Sequence, residues 1–251
     1  MSKESENIVE VRDLTVAYSG RLILDKVSFD IRRGEIFVIV GGSGCGKSTL
    51  LRQLIGLEKP TAGEVRIDGE DFIAARGKKR IEMLRKYGIL FQSSGLFASM
   101  TLAENIAIVL EQNKNIPKDL YTDIIDLKLR AVGLGGFDAF MPAEISGGMK
   151  KRAALARAMA LDPAILCFDE PSSGLDPVTS AALDKLIIEL NRALGATMIV
   201  VTHDLASILT ISDRIVMLDR SAKGIIAMGT PDELKNMKDN ETVYNFFNRI
   251  A

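Results

Sequence analysis

Cysteines and long apolar runs are scarce in this sequence of 251 residues, and each shortage excludes a class of protein. The 2 cysteines, Cys45 and Cys167, are too few for a disulfide framework and are typical of a reducing compartment such as the cytosol. The longest apolar runs, such as residues 36–40, fall far short of the roughly 20 residues of a membrane-spanning helix. The polar N-terminus predicts no secretory signal. If the protein works at a membrane, we expect another subunit to span it.

An excess of charge is also missing. The chain has 32 basic and 33 acidic residues and a net charge of −1. No overall field would attract nucleic acid or anionic lipid, so we expect partners to be recognised through local surfaces and expect no nucleic acid among them. The hydrophobic content of 47% is sufficient for a sizeable core. We expect one large domain with a subdomain.

Two kinds of strand are indicated in the first part of the chain. Residues 8–11 and 27–31 alternate apolar with polar side chains, which predicts a half-buried antiparallel sheet. Residues 35–40 form an almost continuous β-branched run, as expected of a strand buried on both faces. That run leads directly into a glycine-rich segment, so a strand precedes the loop.

Helices are indicated between residues 92 and 146. Thr101 and Glu104 form a capping box, and Pro117 is predicted in the first turn of a helix. The apolar stripe of that helix is predicted to be Leu120, Ile124, Leu127 and Ala131. We interpret the segment as a helical insertion.

Strands and helices alternate in the remainder of the chain. Buried strands are predicted at 165–168 and 198–201, separated by a helix that ends at Gly195. The stripe of that helix is Leu183, Leu186, Ile187, Leu190 and Leu194. Thr230, Pro231 and Glu233 predict another capped helix start. The alternation predicts an α/β fold with a parallel sheet.

The glycine-rich segment matches the pattern GxxxxGK[ST] over residues 41–48. Its glycines let main-chain N–H groups surround phosphate oxygens at the positive end of the following helix. Lys47 is expected to contact the β- and γ-phosphates, and Ser48 is expected to bind Mg²⁺. The alternative is a flexible glycine turn, but the preceding buried strand favours a phosphate site. The predicted phosphate-binding residues are Gly41, Gly42, Ser43, Gly44, Cys45, Gly46, Lys47 and Ser48.

Two other predicted strands end in residues suited to phosphate chemistry. Asp169 and Glu170 follow the apolar run 165–168, at the sheet edge where ligands bind in open α/β folds. Asp169 is expected to hold Mg²⁺ through water, and Glu170 to orient or deprotonate the attacking water. His203, the only histidine, follows the strand 198–201 and is a candidate γ-phosphate contact. The alternative for Asp169 and Glu170 is a strand that ends in a solvated acidic turn. The alternative for His203 is a structural or surface histidine.

A second anion site is indicated at Ser146, Gly147 and Gly148, which open a helix and expose amide donors. A small-residue stripe follows, formed by Met149, Ala153, Ala156 and Ala160, with Lys150, Lys151 and Arg152 predicted on other faces. A complete phosphate loop already exists, so this site requires a second phosphate or the nucleotide of a neighbouring subunit. An ordinary serine N-cap before a glycine turn remains an alternative.

Taken in order, these motifs resemble the nucleotide-binding subunits of ABC transporters over essentially the whole chain. The resemblance implies an ABC nucleotide-binding domain, with a RecA-like P-loop core and an antiparallel β subdomain over residues 1–92 and 159–251 and a helical subdomain over 93–158. It also implies ATP and Mg²⁺ as cofactors. The resemblance implies a role for each motif. Tyr18 is implied as the adenine-stacking aromatic, residues 41–49 ending at Thr49 as Walker A, and Gln92 as the Q-loop glutamine that links Mg²⁺ to the transmembrane partner. The further roles are residues 145–149 as the signature motif, Asp169 and Glu170 as Walker B with its catalytic glutamate, residues 173–176 ending at Asp176 as the D-loop, and His203 as the switch histidine.

Each added residue also has a simpler interpretation. Tyr18 is also consistent with a packed strand tyrosine, and Gln92 with a solvated loop amide. Asp176 is a natural N-cap before Pro177 at a first helical position. For Asp176 the capping and interface roles are compatible.

The family works as a head-to-tail dimer, in which the signature motif of one subunit covers ATP bound to Walker A of the other. The resemblance therefore implies a homodimer of ATPase subunits and accounts for the second anion site. ATP favours the closed dimer and hydrolysis removes the bridging γ-phosphate, so opening and closing can drive a multispanning membrane permease.

Met149 departs from the commonest family pattern, LSGGQ, which has glutamine at this position. The run SGGMKKRAALARA, with FQSSGLFASMTLAENI and FDEPSSGLDPVTS, resembles the ATPases of Mla-type (maintenance of lipid asymmetry) systems. This resemblance implies transport of phospholipid or another lipid between bacterial membranes. It also implies a permease and an MCE-domain lipid-binding protein as partners, with the ATPase at the cytoplasmic face of the inner membrane.

Three other functions are considered. An importer of a small polar solute would share the catalytic residues and differ in its partner groove, here Gly95, Leu96, Phe97 and Met100, which are equally consistent with core residues. A soluble ABC protein of DNA repair or translation generally has two cassettes or long insertions, and this chain has one cassette. A P-loop kinase or GTPase would give residues 145–149, Gln92 and His203 no common role.

The place of the aromatic tail, residues 244–247, is left open.

Overall fold

The computed structural model describes residues 6–250, within which there are ten β-strands and nine α-helices. The strands are β1 (Asn7–Tyr18), β2 (Arg21–Arg32), β3 (Ile36–Gly41), β4 (Ala62–Ile67), β5 (Glu70–Asp71), β6 (Tyr87–Leu90), β7 (Ile165–Asp169), β8 (Thr197–Val201), β9 (Arg214–Asp219) and β10 (Gly224–Gly229). The helices are α1 (Lys47–Leu54), α2 (Gly77–Leu84), α3 (Leu102–Leu110), α4 (Tyr121–Ala131), α5 (Gly147–Ala158), α6 (Pro177–Leu194), α7 (Leu205–Ile211), α8 (Pro231–Lys235) and α9 (Glu241–Asn248). The N-terminal segment that predicts no secretory signal lies partly outside the described residues.

The described chain divides into two compact units. The first unit comprises residues up to Leu84 together with those from Thr197 onwards, and the second comprises residues 85–196. The domain boundaries predicted at 92/93 and 158/159 stay predictions.

An antiparallel sheet with the order β2-β1-β4-β5 forms one part of the first unit. Strands β1 and β2 pair along almost their whole length, from Asn7 opposite Arg32 to Tyr18 opposite Arg21. Inward-facing apolar residues such as Val9 and Val11 are fully buried, because side chains on a strand alternate between the two faces. The half-buried antiparallel sheet predicted from the sequence is confirmed. Strand β4 was not predicted.

Parallel strands form the other part of the first unit. Strand β3 pairs in parallel with both β8 and β9, and β10 adds to β9 in the antiparallel direction. All six residues of β3 are buried, as a strand covered on both faces requires. The strands predicted at 35–40 and 198–201 are confirmed, whereas β9 and β10 were not predicted.

The second unit combines a parallel strand pair, β6 with β7, and four helices. Helix α3 begins at the predicted capping box, in which the Thr101 hydroxyl accepts from Glu104 N and the Glu104 carboxylate accepts from Thr101 N. Helix α6 is capped by Asp176, begins at Pro177 and ends before Gly195, whose φ of 63° is left-handed. Glycine adopts this conformation without a Cβ penalty, which explains the predicted helix end.

The predictions for α4 were wrong in two details. Pro117 lies outside the helix, in an extended conformation before a short 3-10 helix at Lys118–Leu120. The buried face of α4 carries Ile125 and Leu129. The predicted stripe does not form that face, and its member Leu127 is 62% exposed. Two apolar stripes coexist on this helix, and contacts with α3 and α5 select the buried one.

The aromatic tail belongs to α9, which packs against α8. Phe247 is buried, whereas Tyr244 and Phe246 are half-buried. The Phe246 and Phe247 rings meet edge to face with centroids 5.1 Å apart. Phe247 therefore contributes to the core of the first unit. Across residues 6–250, none of the helices has the length and apolar character needed to cross a membrane.

Candidate nucleotide site

The glycine-rich loop joins β3 to α1 within the first unit, so the predicted order of strand, loop and helix is confirmed. Gly41 and Gly46 both have positive φ, 144° and 106°. A Cβ at Gly41 would lie 2.3 Å from the Leu218 carbonyl oxygen, and a Cβ at Gly46 would lie 2.9 Å from Leu24 Cδ2. Glycine is therefore required at both positions.

The outer part of the loop is open. Gly42, Ser43 and Gly44 are exposed, and a Cβ at Gly42 or Gly44 would meet nothing within 4 Å. Lys47 and Ser48 are the first residues of α1, whose N-terminal N–H groups and dipole favour an anion. An open cradle at a helix N-terminus fits a phosphate group.

Lys47 lies against the loop. Its ammonium group donates to the main-chain carbonyls of Gly41, at 2.8 Å, and Gly42, at 3.1 Å. Cys45 is the residue of the loop before Gly46, and its side chain is buried with a free thiol. Burial raises the pKa of that thiol, so Cys45 is a packing residue in its neutral form.

Tyr18 is the last residue of β1 and is 41% exposed. Its hydroxyl donates a hydrogen bond to the Glu58 carboxylate. The pKa of this hydroxyl is raised, mainly by partial burial and next by the hydrogen bond to Glu58. A hydrogen bond with Thr49 of α1 acts to lower the same pKa. Tyr18 is thus near the helix that carries the phosphate loop, and its exposed ring area is available for stacking.

His203 also belongs to the first unit. It is exposed and lies between β8 and Asp204, which caps α7 by accepting from Ala206 N at 3.0 Å. The prediction that a buried strand leads to His203 is confirmed, because every residue of β8 is buried.

The predicted hydrolytic carboxylates belong to the second unit. Asp169 is the last residue of β7, and Glu170 follows it with a φ of 50°. Left-handed backbone is uncommon for a residue with a side chain and is concentrated at functional positions. Both carboxylates are half-buried. The predicted strand with acidic residues at its end is therefore confirmed.

Gln92 follows β6 and is exposed. Its side-chain amide donates to the Ser173 hydroxyl at 3.3 Å, which links two segments that the sequence identified separately. The solvated loop amide considered for Gln92 is thus an incomplete description.

Lys151 has a role that the sequence did not indicate. The sequence placed it only off the small-residue stripe of α5, and in the structure it is buried and donates to the main-chain carbonyl of Gln92. Burial lowers the pKa of Lys151, and Asp169 and Glu170 oppose that effect. Its partner is 59 residues away in sequence, so no local pattern could have indicated the contact.

The serine N-cap that was considered as an alternative is present at the start of α5, and Gly147 and Gly148 are the first residues of that helix. Ser146 is the N-cap of α5, and its hydroxyl accepts from Met149 N at 3.3 Å. A Cβ at Gly148 would lie 2.5 Å from Thr179 Cγ2 on α6, whereas Gly147 has only Leu175, 3.9 Å away. Ser146 and Gly147 are exposed, so their amide groups remain accessible to an anion.

Asp176 is confirmed as the N-cap of α6, where its carboxylate accepts from Val178 N and Thr179 N, both at 3.0 Å. Hydrogen bonds donated to its carboxylate lower the pKa of Asp176, and the bond from the Thr179 hydroxyl has the largest effect, ahead of the bond from the Thr179 main-chain N–H. Its side chain is exposed, and this leaves the proposed interface role open.

The sequence profile of the ABC transporter family matches residues 24–173. The chain belongs to the ABC transporter family. This ABC subunit is similar to the "Intermembrane phospholipid transport system ATP-binding protein MlaF" of Escherichia coli K12. The two are 42% identical over an alignment of 252 residues, which covers 100% of this chain and 92% of that protein. This ABC subunit is also 42% identical over 240 residues to the "Probable ribonucleotide transport ATP-binding protein mkl" of Mycobacterium leprae, covering 96% of this chain and 68% of the relative.

A solved structure has the same fold. It is described as the "Dimeric structure of a post-hydrolysis state of the ATP-binding cassette MJ0796 bound to ADP and Pi". Its TM-score is 0.79 at 30% identity, with 88% of this chain and 98% of that chain covered. The ABC ATPase fold and the enzyme class predicted from the sequence are confirmed.

Proposed function

We propose that this ABC subunit hydrolyses ATP to drive phospholipid transport between bacterial membranes. The observation that carries the proposal is the full-length similarity, at 42% identity, to a protein named for intermembrane phospholipid transport. The signature segment agrees with it, because the run SGGMKKRAALARA, with Met149 where most of the family has glutamine, resembles the ATPases of Mla-type systems. The chain itself supplies the ATP-driven step, and lipid contacts belong to its partners.

The glycine-rich loop binds the nucleotide phosphates in this proposal. Main-chain N–H groups of the loop and of α1 surround the phosphate oxygens, and Lys47 neutralises the β- and γ-phosphates. Thr49 completes the Walker A segment. The exposed ring of Tyr18 stacks on adenine, which its position near α1 supports.

Glu170 acts as the base that orients or deprotonates the attacking water. Its half-buried carboxylate beside the end of β7 supports this role. His203 contacts the γ-phosphate and completes the set of catalytic residues with Lys47 and Glu170. An exposed imidazole at the end of a buried strand suits a group that changes partner during turnover.

Mg²⁺ is the metal that fits the donor groups. The hydroxyl of Ser48, the amide oxygen of Gln92 and the carboxylate of Asp169 are oxygen ligands of the kind that Mg²⁺ prefers. Held by these residues, Mg²⁺ would supply positive charge that offsets the negative charge developing during phosphoryl transfer.

Two copies of the chain form the working ATPase. The amides of Ser146, Gly147 and Gly148 in one copy face the nucleotide held by the phosphate loop of the other, with Asp176 at the interface. Ser146 and Gly147 are exposed, and Gly148 is half-buried. The dimeric solved structure with ADP and Pi supports this arrangement. ATP binding closes the dimer, and hydrolysis allows it to open.

The loop after β6 is proposed to receive a multispanning permease. Of its apolar residues, Phe97 is 49% exposed, and Leu96 and Met100 are half-buried, so none is an ordinary core residue. The permease would hold the ATPase at the cytoplasmic face of the inner membrane, with an MCE-domain protein as the lipid-binding partner.

Affinity purification from bacterial membranes tests the lipid assignment. The tagged chain is expected to recover a permease and an MCE-domain protein. The complex, reconstituted in vesicles containing labelled phospholipid, is expected to move the label in an ATP-dependent manner that Glu170→Gln abolishes. Recovery of a solute-binding protein with its permease, or ATP-dependent ribonucleotide uptake, would instead support the transport named for the Mycobacterium leprae relative.

A further inference from the structure

One buried cation of the second unit lies beside the residues assigned to hydrolysis. Lys151 is 6% exposed, and its ammonium group donates to the main-chain carbonyl of Gln92. Asp169 and Glu170 interact electrostatically with it. A buried ammonium group is tolerated where it is hydrogen-bonded and faces opposite charge, and Lys151 has both.

The same helix holds the following segment at a second point. Arg157 of α5 donates from Nη1 to the Gly95 carbonyl at 2.6 Å and from Nη2 to the Ser94 carbonyl at 3.2 Å. Charge-assisted hydrogen bonds of this kind are among the strongest in proteins. Lys151 and Arg157 therefore fix three main-chain carbonyls in residues 92–95, which we name the Gln92 loop.

Helix α3 fixes the residues immediately beyond the Gln92 loop. The fully buried amide of Asn105 accepts from Phe97 N at 2.8 Å and donates to the carbonyls of Phe97 and Met100, both at 3.1 Å. The main chain on the far side of the Gln92 loop is thus also held. The Gln92 side chain has a defined direction, towards the Ser173 hydroxyl.

We infer that Lys151 is a positioning residue for ATP hydrolysis, which holds the main chain at Gln92 and so directs the Gln92 amide. This inference rests on the proposed function. Lys151 acts through Gln92 rather than on the nucleotide, and it makes α5 and the Gln92 loop move together. The helix that begins at the signature segment is therefore coupled to the glutamine of its own chain.

The expected effect is on turnover rather than on nucleotide binding. Without the ammonium group the Gln92 carbonyl loses its donor and the loop shifts, and a displacement of about 1 Å at a reacting centre can slow a reaction by up to about 100-fold. The phosphate loop does not include Lys151, so the affinity for ATP should hardly change.

Steady-state ATP hydrolysis by the purified transporter complex tests the inference. Lys151→Met is expected to lower kcat by about tenfold or more, with KM for ATP nearly unchanged. Lys151→Arg is expected to recover most of kcat, since it restores a cationic donor. Where Lys151→Met does not fold, Lys151→Gln replaces it in the comparison, because the glutamine side chain is uncharged and shorter than lysine and so does not restore the ammonium donor at the Gln92 carbonyl.

Lys128→Met is the matched control. Lys128 is also a buried lysine of the second unit, 7% exposed, and it pairs with Asp162. Its substitution is expected to lower thermal stability as Lys151→Met does while leaving kcat unchanged. Equal losses of kcat in the two variants would reduce Lys151 to a structural role and overturn the inference.

A double-mutant cycle with Gln92→Ala identifies the route of the effect. If Lys151 works through the Gln92 amide, Lys151→Met should add little in the Gln92→Ala background, because coupled residues are not additive. Full additivity, or normal turnover by Lys151→Met alone, would contradict the inference. Absence of Glu170-dependent hydrolysis in the unsubstituted complex would contradict the proposed function instead, so the two failures are distinguishable.

Discussion

Gly148 on α5 approaches Thr179 on α6 so closely that a Cβ at position 148 would lie 2.5 Å from Thr179 Cγ2. The start of the signature helix is thus packed against the helix that Asp176 caps. Since a β-branched side chain has little freedom to move aside, the second glycine of the motif is required by packing in the free chain.

Gly148→Ala should therefore lower the free energy of unfolding by about 1–3 kcal/mol, the usual range for overpacking. Urea unfolding of the purified chain measures this. Gly147→Ala is the control, because its nearest neighbour is Leu175 at an ordinary distance of 3.9 Å. The double variant Gly148→Ala/Thr179→Ser, which removes the clashing methyl group, should recover most of the loss, and failure to do so would exclude this contact as the cause.

Glu170→Gln is expected to bind ATP normally, lose about 100-fold or more of its turnover and accumulate as a closed dimer with ATP. Glutamine keeps the size of the side chain but cannot accept a proton from water. Phosphate release and size-exclusion chromatography measure the two effects. Glu189→Gln, an exposed change on α6, is the control. Near-normal hydrolysis by Glu170→Gln would remove Glu170 from the proposed role.

Lys47→Ala is expected to weaken ATP binding about tenfold to hundredfold, since a hydrogen bond to a charged group contributes roughly 1.5–3 kcal/mol. Equilibrium binding of a fluorescent ATP analogue measures the affinity. Lys59→Ala provides the control, because Lys59 is an exposed lysine of the same unit outside the phosphate loop. Unchanged affinity in Lys47→Ala would contradict the phosphate-loop assignment.

The cap of α6 predicts a dependence of stability on pH. The pKa of Asp176 lies below its ordinary value of 3.8, chiefly because the Thr179 hydroxyl donates to its carboxylate. The stability that this carboxylate contributes is therefore present above the ordinary pKa and is lost as the pH falls through the lowered one.

Asp176→Asn retains a capping oxygen but does not titrate. The stability difference between the unsubstituted chain and Asp176→Asn should be largest near neutral pH and should shrink as the pH falls below about 4. Thermal unfolding across that range provides the measurement. A difference that stays constant down to the acid limit of folding would contradict the assigned cause.

Features determined by neighbouring residues were predictable from the sequence. The capping box of Thr101 with Glu104 and the helix end at Gly195 depend on backbone chemistry within a few residues, and both were confirmed. The phosphate loop was equally recognisable, because its glycines and lysine lie within a few residues of one another, between the end of β3 and the start of α1. Local chemistry was enough in each case.

Features determined by distant partners were not predictable. Lys151 follows Lys150 on a helix, and charged residues usually face solvent, but the Gln92 carbonyl from a remote segment accepts its proton. Likewise Leu127 and Leu129 have the same polarity, and only packing against other helices leaves the first exposed and the second buried. The sequence shows which side chains are available but not which surface lies opposite.

The two hydrogen bonds from Lys47 to the Gly41 and Gly42 carbonyls also affect the energetics of binding. They preorganise the loop, so much of its conformational entropy is lost during folding rather than at each encounter with a nucleotide. A binding site that does not have to be ordered again for every ligand can exchange ADP for ATP with little reorganisation, and this suits an enzyme that repeats the exchange in every cycle.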